Sequence, residues 1–279
     1  MIYLLLAIIS SAMVSITMRL SEKHVQNQMM MFMANYAICT ILSYLFMDSF
    51  TKANLSSMTP ITFWLGVISG ILYLVSFVYL KVNMKYNGII LSSTFTKLGV
   101  LIPTLMAIFI FSEIPSWTQI IGIGLSILAI IMIHFEKDSV SEGQKKSWLI
   151  YLLLVSGITD SMANIFEKLG SANQKDMYLM MTFFFAFLLS MILALFEKKK
   201  MSTKDVLYGF IIGIPNYFSA RFLLLALGSV DAVLAYPTYS VSTMILISLS
   251  GLLLFHESIS NKKKAALGII MLAICLMNI

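Results

Sequence analysis

Charge is scarce in this chain. Asp, Glu, Lys and Arg together make up only 11% of its 279 residues, against 59% hydrophobic, and its mean hydropathy is +0.91. Soluble domains carry about 25% charged residues, so a water-solvated globule is excluded. Cysteine is nearly absent as well. Cys39 and Cys275 both fall in apolar stretches, which excludes a disulfide framework and suits packing thiols. His24, His134 and His256 stand at the ends of different segments without a CxxC or HxxxH spacing, so no metal site is expected. A Walker sequence, a Gly-x-Ser-x-Gly elbow and a His-Glu-x-x-His pair are all missing. These absences argue against an ATP-driven machine and against an intramembrane enzyme, and no cofactor is expected.

What fills the chain instead is long apolar runs. Spans read near 2 to 19, 29 to 47, 60 to 80, 88 to 111, 117 to 134, 148 to 166, 177 to 196, 206 to 226, 232 to 254 and 263 to 278. Each is about the 20 residues that a helix needs to cross a hydrocarbon core. Lipid offers no backbone partners, so helices are the spanning structure. The expected fold is an all-α integral membrane protein of ten transmembrane helices. The longest connection, 135 to 147, holds EKDSVSEGQKK and reads as a polar linker with no soluble domain attached. The first segment lacks a basic n-region and a small-residue cleavage site, and reads as a retained span.

The formal net charge of +6 is no nucleic-acid signature, because the cations sit between spans. One alternating set of connections carries 14 of the Lys and Arg residues, including Lys198, Lys199, Lys200 and Lys204; the other carries only Lys52, Lys168 and Lys175. The positive-inside rule makes the first set cytoplasmic. Both termini are then extracytoplasmic, in a plasma or inner cell membrane.

The chain also reads twice. GVISGILYLVSF and FSEIPSWTQIIGIG in the first half are answered by GFIIGIPNYFSA and FHESISNKKKAALG in the second. Gly66 and Gly70 correspond to Gly209 and Gly213, Glu113 to Glu257, and Gly124 to Gly268. The division is a first five-helix repeat over 1–134, a linker over 135–147 and a second repeat over 148–279. Five spans each, an odd number, place the repeats in opposite orientations, an architecture of secondary transporters whose site lies near the midplane. The glycines suit close helix packing, and Glu113 and Glu257 suit caps for the turns they sit in.

On these glutamate turns and Gly-containing spans the sequence resembles the drug/metabolite transporter superfamily, in particular the ten-span EamA-type permeases. The second half is similar to the small multidrug resistance exporters: DSMANIFEK sets Asp160 eight residues before Lys168, and AYPTYS carries Tyr236 and Tyr239. That resemblance implies a membrane carboxylate for which proton and substrate compete, with two aromatic substrate-site residues. The first half departs from the pattern, having Ser11 in the carboxylate position and Ser92 and Phe95 in place of the tyrosines.

Ionisable residues inside a membrane are costly and mark function. Asp160, Lys97 and Arg221 qualify. Asp160 either pairs with Lys97 or Arg221 as a structural tie or acts as the coupling group, its pKa raised by burial. Two cations facing one carboxylate leave a surplus positive charge, which a substrate anion, a water-filled cavity or a deprotonated lysine has to resolve. Tyr73, Phe77, Phe95, Tyr217, Tyr236 and Tyr239 are the aromatic candidates for a wall that stacks on a substrate or holds a cation, with ordinary packing as the alternative. Asn164, four residues after Asp160, shares its face.

The reading is a secondary active transporter exporting a small polar, amino-acid-like metabolite by alternating access, with a central cavity between the repeats. The alternative is a proton-coupled exporter of organic cations or drugs. Expected partners are a small-molecule substrate, the lipid bilayer and protons as coupling ion, with no nucleic acid; a monomer and a homodimer are both open.

Overall fold

The computed structural model describes residues 1–21, 24–87, 92, 95–96, 98–134, 146–197, 202–255, and 265, 268–269, 272–273 and 276. Among the described residues every regular element is helical: α1 (Ile2–Ser21), α2 (Gln28–Leu45), α3 (Ser49–Ala53), a 3-10 turn (Leu55–Ser57), α4 (Pro60–Asn87), α5 (Leu101–Phe109), α6 (Trp117–His134), α7 (Lys146–Leu169), a 3-10 turn (Ala172–Gln174), α8 (Lys175–Phe196), α9 (Thr203–Leu227) and α10 (Ala232–Phe255). The protein is an all-α membrane protein. Six of these helices are long and apolar enough to cross a bilayer, and Ala232–Ile247 forms a shorter apolar helix. The six fall on the spans expected at 2–19, 29–47, 60–80, 148–166, 177–196 and 206–226. Part of the span expected at 88–111, most of 263–278 and most of the linker lie outside the described residues.

The surface confirms the solvent. Trp117 is 82% exposed, and Phe109 and Phe196 are each 79% exposed. Apolar side chains this open to water would be an association hazard, whereas hydrocarbon covers them at no cost. Inside the helices, hydroxyls turn back on their own backbone: Thr40 donates to the Tyr36 carbonyl at 2.8 Å, Ser43 to Cys39 at 2.8 Å and Thr182 to Tyr178 at 2.9 Å. A donor with no water to meet is satisfied this way without leaving the helix.

Helix starts follow local chemistry. Pro60 opens α4, where its missing N–H is no loss. The side chain of Asn27 accepts from the Met30 amide at 3.1 Å at the start of α2. Before α9, Ser202 and Asp205 form a capping box, with Asp205 Oδ2 accepting from the Ser202 amide at 2.9 Å. The other carboxylate oxygen of Asp205 accepts from the Gln26 amide at 2.8 Å, so one buried residue fixes both the α1–α2 connection and the start of α9.

The chain divides into two compact units: unit 1, Met1–Val75 with Met162–Gly228, and unit 2, Ser76–Ser161 with Ser229–Ile279. Each unit draws on both sequence halves, and the chain passes from one unit to the other within α4 and again within α7.

Unit 1 is joined by its glycines. A Cβ at Gly66 would stand 2.5 Å from Met181 Cβ, and one at Gly70 would stand 2.6 Å from the Thr182 carbonyl, so α4 lies against α8. A Cβ at Gly209 would stand 2.5 Å from the Met31 carbonyl, and one at Gly213 would stand 2.0 Å from Ile38 Cγ2, so α9 lies against α2. The two joints are alike: each pair from one sequence half notches the second long helix of the other half. Bare backbone at such positions lets membrane helices approach closely.

Unit 2 has its own crossing. A Cβ at Gly157 on α7 would stand 2.5 Å from the Gly99 carbonyl. Leu98, Val241 and Met244 form a buried cluster against Met132, Leu153, Ile245 and Ile269. Asn83 donates from Nδ2 to the Trp148 carbonyl at 3.1 Å, fastening α4 to the start of α7.

Candidate functional site

In unit 2, α7 carries Asp160 in a partly buried position. The Tyr236 hydroxyl donates to the Asp160 backbone carbonyl at 2.6 Å, and Tyr236 itself is buried. Tyr239, on the same face of α10, is partly buried, and its carbonyl accepts from the Thr243 hydroxyl at 2.7 Å. Phe95 is partly buried and precedes the Gly99 crossing, where its carbonyl accepts from the Gly99 amide at 3.2 Å. The Ser156 hydroxyl, one turn before Asp160, lies 3.4 Å from the Thr96 carbonyl. Lys97 lies outside the described residues.

A different carboxylate shapes the same unit. Ser112 sits in the left-handed region at φ 57°, a backbone state uncommon for a side chain other than glycine, asparagine or aspartate. The turn places Glu113 so that its Oε2 accepts from the Val233 amide at 2.9 Å. Glu113 therefore caps the first turn of α10, three residues before Tyr236, and not only its own turn. Glu257, its sequence counterpart, lies outside the described residues.

Unit 1 holds the second set. Arg221 on α9 reaches Asp176 at the start of α8, with Nη2 to Oδ1 at 3.4 Å and a fifth of each side chain exposed. Its Nη1 donates to the Phe46 carbonyl at 3.1 Å and to the Tyr217 hydroxyl. The guanidinium carbon stands 5.8 Å from the Phe46 ring centre and 5.9 Å from that of Tyr217, within cation–π range. The Asp176 carboxylate also accepts from the Asp48 backbone amide. This corrects the expected surplus of buried positive charge: Arg221 has a carboxylate partner, and it is Asp176. That residue lies in the first turn of α8, one position before the expected span at 177 to 196, so sequence alone assigns it to a loop.

The neighbouring residue does parallel work. Lys175 Nζ pairs with Glu167 Oε2 at 2.6 Å, and Gln174 Oε1 accepts from the Thr59 amide at 3.1 Å while its Nε2 donates to the Ser57 carbonyl at 3.0 Å. Three consecutive side chains thus tie the α7–α8 connection to the segment just before α4, to α7 and to α9.

Aromatic rings continue inward from Arg221. Tyr217 stacks with Phe46 at 6.0 Å and meets Phe183 edge-on at 6.2 Å; Tyr73 meets Phe183 edge-on at 5.9 Å. The structure thus brings Tyr73 and Tyr217 together through Phe183, a phenylalanine in an apolar run that carries no sequence signal of its own. Beside them Asn216 Nδ2 donates to Asn35 Oδ1 at 3.2 Å, and the Cys39 thiol donates to the Gly213 carbonyl at 3.2 Å. Asn164 is buried, and its Nδ2 has no hydrogen-bond partner among the described residues.

Apolar spanning helices that retain Asp160, Asp176 and Arg221 define a multi-pass membrane protein with charged groups held inside it. Residues 147–279 match the model of the EamA-like transporter family. An uncharacterized protein of Haemophilus influenzae (strain ATCC 51907 / DSM 11121 / KW20 / Rd) is 24% identical over 281 residues, covering 96% of this chain and 93% of that protein. A solved crystal structure of a protein shares the fold, with a TM-score of 0.72 at 11% identity over 99% of this chain and 94% of that chain.

Proposed function

We propose that the protein is a secondary active transporter that exports a small, polar, amino-acid-like metabolite by alternating access. The observation that carries the reading is the pairing of opposite charges within the spanning helices: Arg221 with Asp176, framed by Phe46 and Tyr217. Groups of both signs suit a ligand that carries both signs, and rings beside them suit its organic part. The absence of a Walker sequence supports an ion gradient or exchange as the energy source.

Asp160 is the coupling group in this reading, and Tyr236 and Tyr239 stand with it as substrate-side residues. A carboxyl inside a membrane alternates readily between a proton and a cationic ligand. In the same reading both termini are extracytoplasmic, which sets the Arg221 end of unit 1 on the outer side.

The test is flux. Protein reconstituted in liposomes with an imposed proton gradient should accumulate a labelled amino acid above its equilibrium level, and collapse of the gradient should release it. Accumulation of a labelled organic cation alone would favour the proton-coupled exporter of cations or drugs.

A further inference from the structure

We propose that Arg221 and Asp176 form a docking subsite for a zwitterionic α-amino acid, with the substrate carboxylate on Arg221 and its ammonium on Asp176. The inference rests on the transporter reading and adds where in unit 1, and by which groups, the substrate is held.

The geometry is that of a pair with binding capacity to spare. An Arg–carboxylate pair at its strongest makes two parallel bonds from the fork of the guanidinium. Here one Nη2–Oδ1 contact at 3.4 Å joins the two side chains, and a fifth of each remains exposed. The neighbouring charges have tighter structural bonds: Lys175 is 2.6 Å from Glu167, and Asp48 Oδ1 accepts from the Thr51 amide at 2.9 Å. Helices α8 and α9 both pack along α2 and touch each other far less, so Arg221 and Asp176 reach towards each other from separate helices.

Charge arithmetic selects the ligand. An amine entering this pair would occupy Asp176 and strand the guanidinium; a carboxylate would occupy Arg221 and strand Asp176. A partly buried charge left without a partner is disfavoured. A zwitterion replaces each partner with a group of the same sign and strands neither. The Phe46 and Tyr217 rings beside the guanidinium then offer an apolar surface to the substrate's side chain.

Three probes with the same isobutyl group test this on the purified full-length protein in detergent: L-leucine, isoamylamine, which lacks the carboxylate, and 4-methylpentanoate, which lacks the ammonium. L-leucine should raise the melting temperature of the parent, and the other two should not at equal concentration. Arg221→Gln and Asp176→Asn should each weaken leucine protection by about tenfold or more. Should Arg221→Gln not fold, Arg221→Lys carries the test: it keeps an ion pair with Asp176, loses the fork and should still weaken leucine by about tenfold. No protection by millimolar L-leucine, equal protection by isoamylamine, or undiminished leucine protection in the variants would overturn the subsite. Flux of another solute that both variants leave unchanged would sink the subsite and leave the transporter reading standing. Leucine protection without any flux would do the reverse.

Discussion

The Tyr236 phenol holds the backbone of Asp160, not its carboxylate: the hydroxyl donates to the main-chain carbonyl across 2.6 Å. Helices α7 and α10 are thereby fastened at the level of Asp160 by a bond that spends none of the carboxylate's acceptors.

Tyr236→Phe removes that one bond and keeps the ring. Its stability cost should be small, about 1 kcal/mol, while substrate flux falls because α10 loses its register on α7. Melting temperature and proteoliposome flux, measured side by side, check this. A large stability loss with normal flux would assign Tyr236 to packing.

Asp160→Asn keeps the size of the side chain and deletes the titratable proton. Gradient-driven accumulation should disappear while the folded helix content stays at the parent level by circular dichroism. An unchanged pH profile of transport would make Asp160 a bystander.

Glu113→Ala should act at a distance from its own turn. It deprives the Val233 amide of its acceptor, and lost helix caps cost about 1 kcal/mol. Hydrogen exchange should quicken in the first turn of α10, around Val233 to Tyr236, more than around residue 113. Exchange confined to 112–116 would mean that Glu113 serves only its own connection.

Glycine substitutions should separate by contact. Gly213→Ala brings a methyl to 2.0 Å from Ile38 Cγ2 and 2.6 Å from the Asn35 carbonyl, whereas a methyl at Gly124 meets nothing within 4 Å. Overpacking costs about 1–3 kcal/mol. Gly213→Ala should lower the melting temperature by several degrees, and Gly124→Ala should leave it unchanged or raise it slightly.

Orientation can be read with cysteines on whole cells. A Cys near Lys199 should resist an impermeant thiol reagent, and one near Lys52 should react, as the bias of 14 loop cations against 3 requires. The opposite labelling pattern would invert the assignment.

Much of the fold was legible because its cause is local: a run of about 20 apolar residues spans a bilayer whatever its neighbours do. Gly66, Gly70, Gly209 and Gly213 were legible as joints for the same reason, since a missing Cβ has one common use between membrane helices. Their partner helices were not, because which helix fills a notch depends on three-dimensional packing. The candidate site was less legible. Arg221 stood out as a cation inside an apolar run, but Asp176 lies at a span edge where acidic residues are ordinary. Glu113 was readable as a cap, yet the amide it caps, on Val233, lies 120 positions further on.

The crossed glycine joints of unit 1 bear on how the protein is made. Helix α4 enters the bilayer during synthesis before α8, the helix that fills its notch, exists. Helix α2 likewise waits for Gly209 and Gly213 of α9. Closure of unit 1 is therefore a late event that follows insertion of both halves. Truncation after residue 134 leaves two exposed helix surfaces in lipid, a substrate for membrane quality control. Two fragments produced as separate chains carry the complementary faces of both joints, so co-expression should rescue what either fragment alone loses.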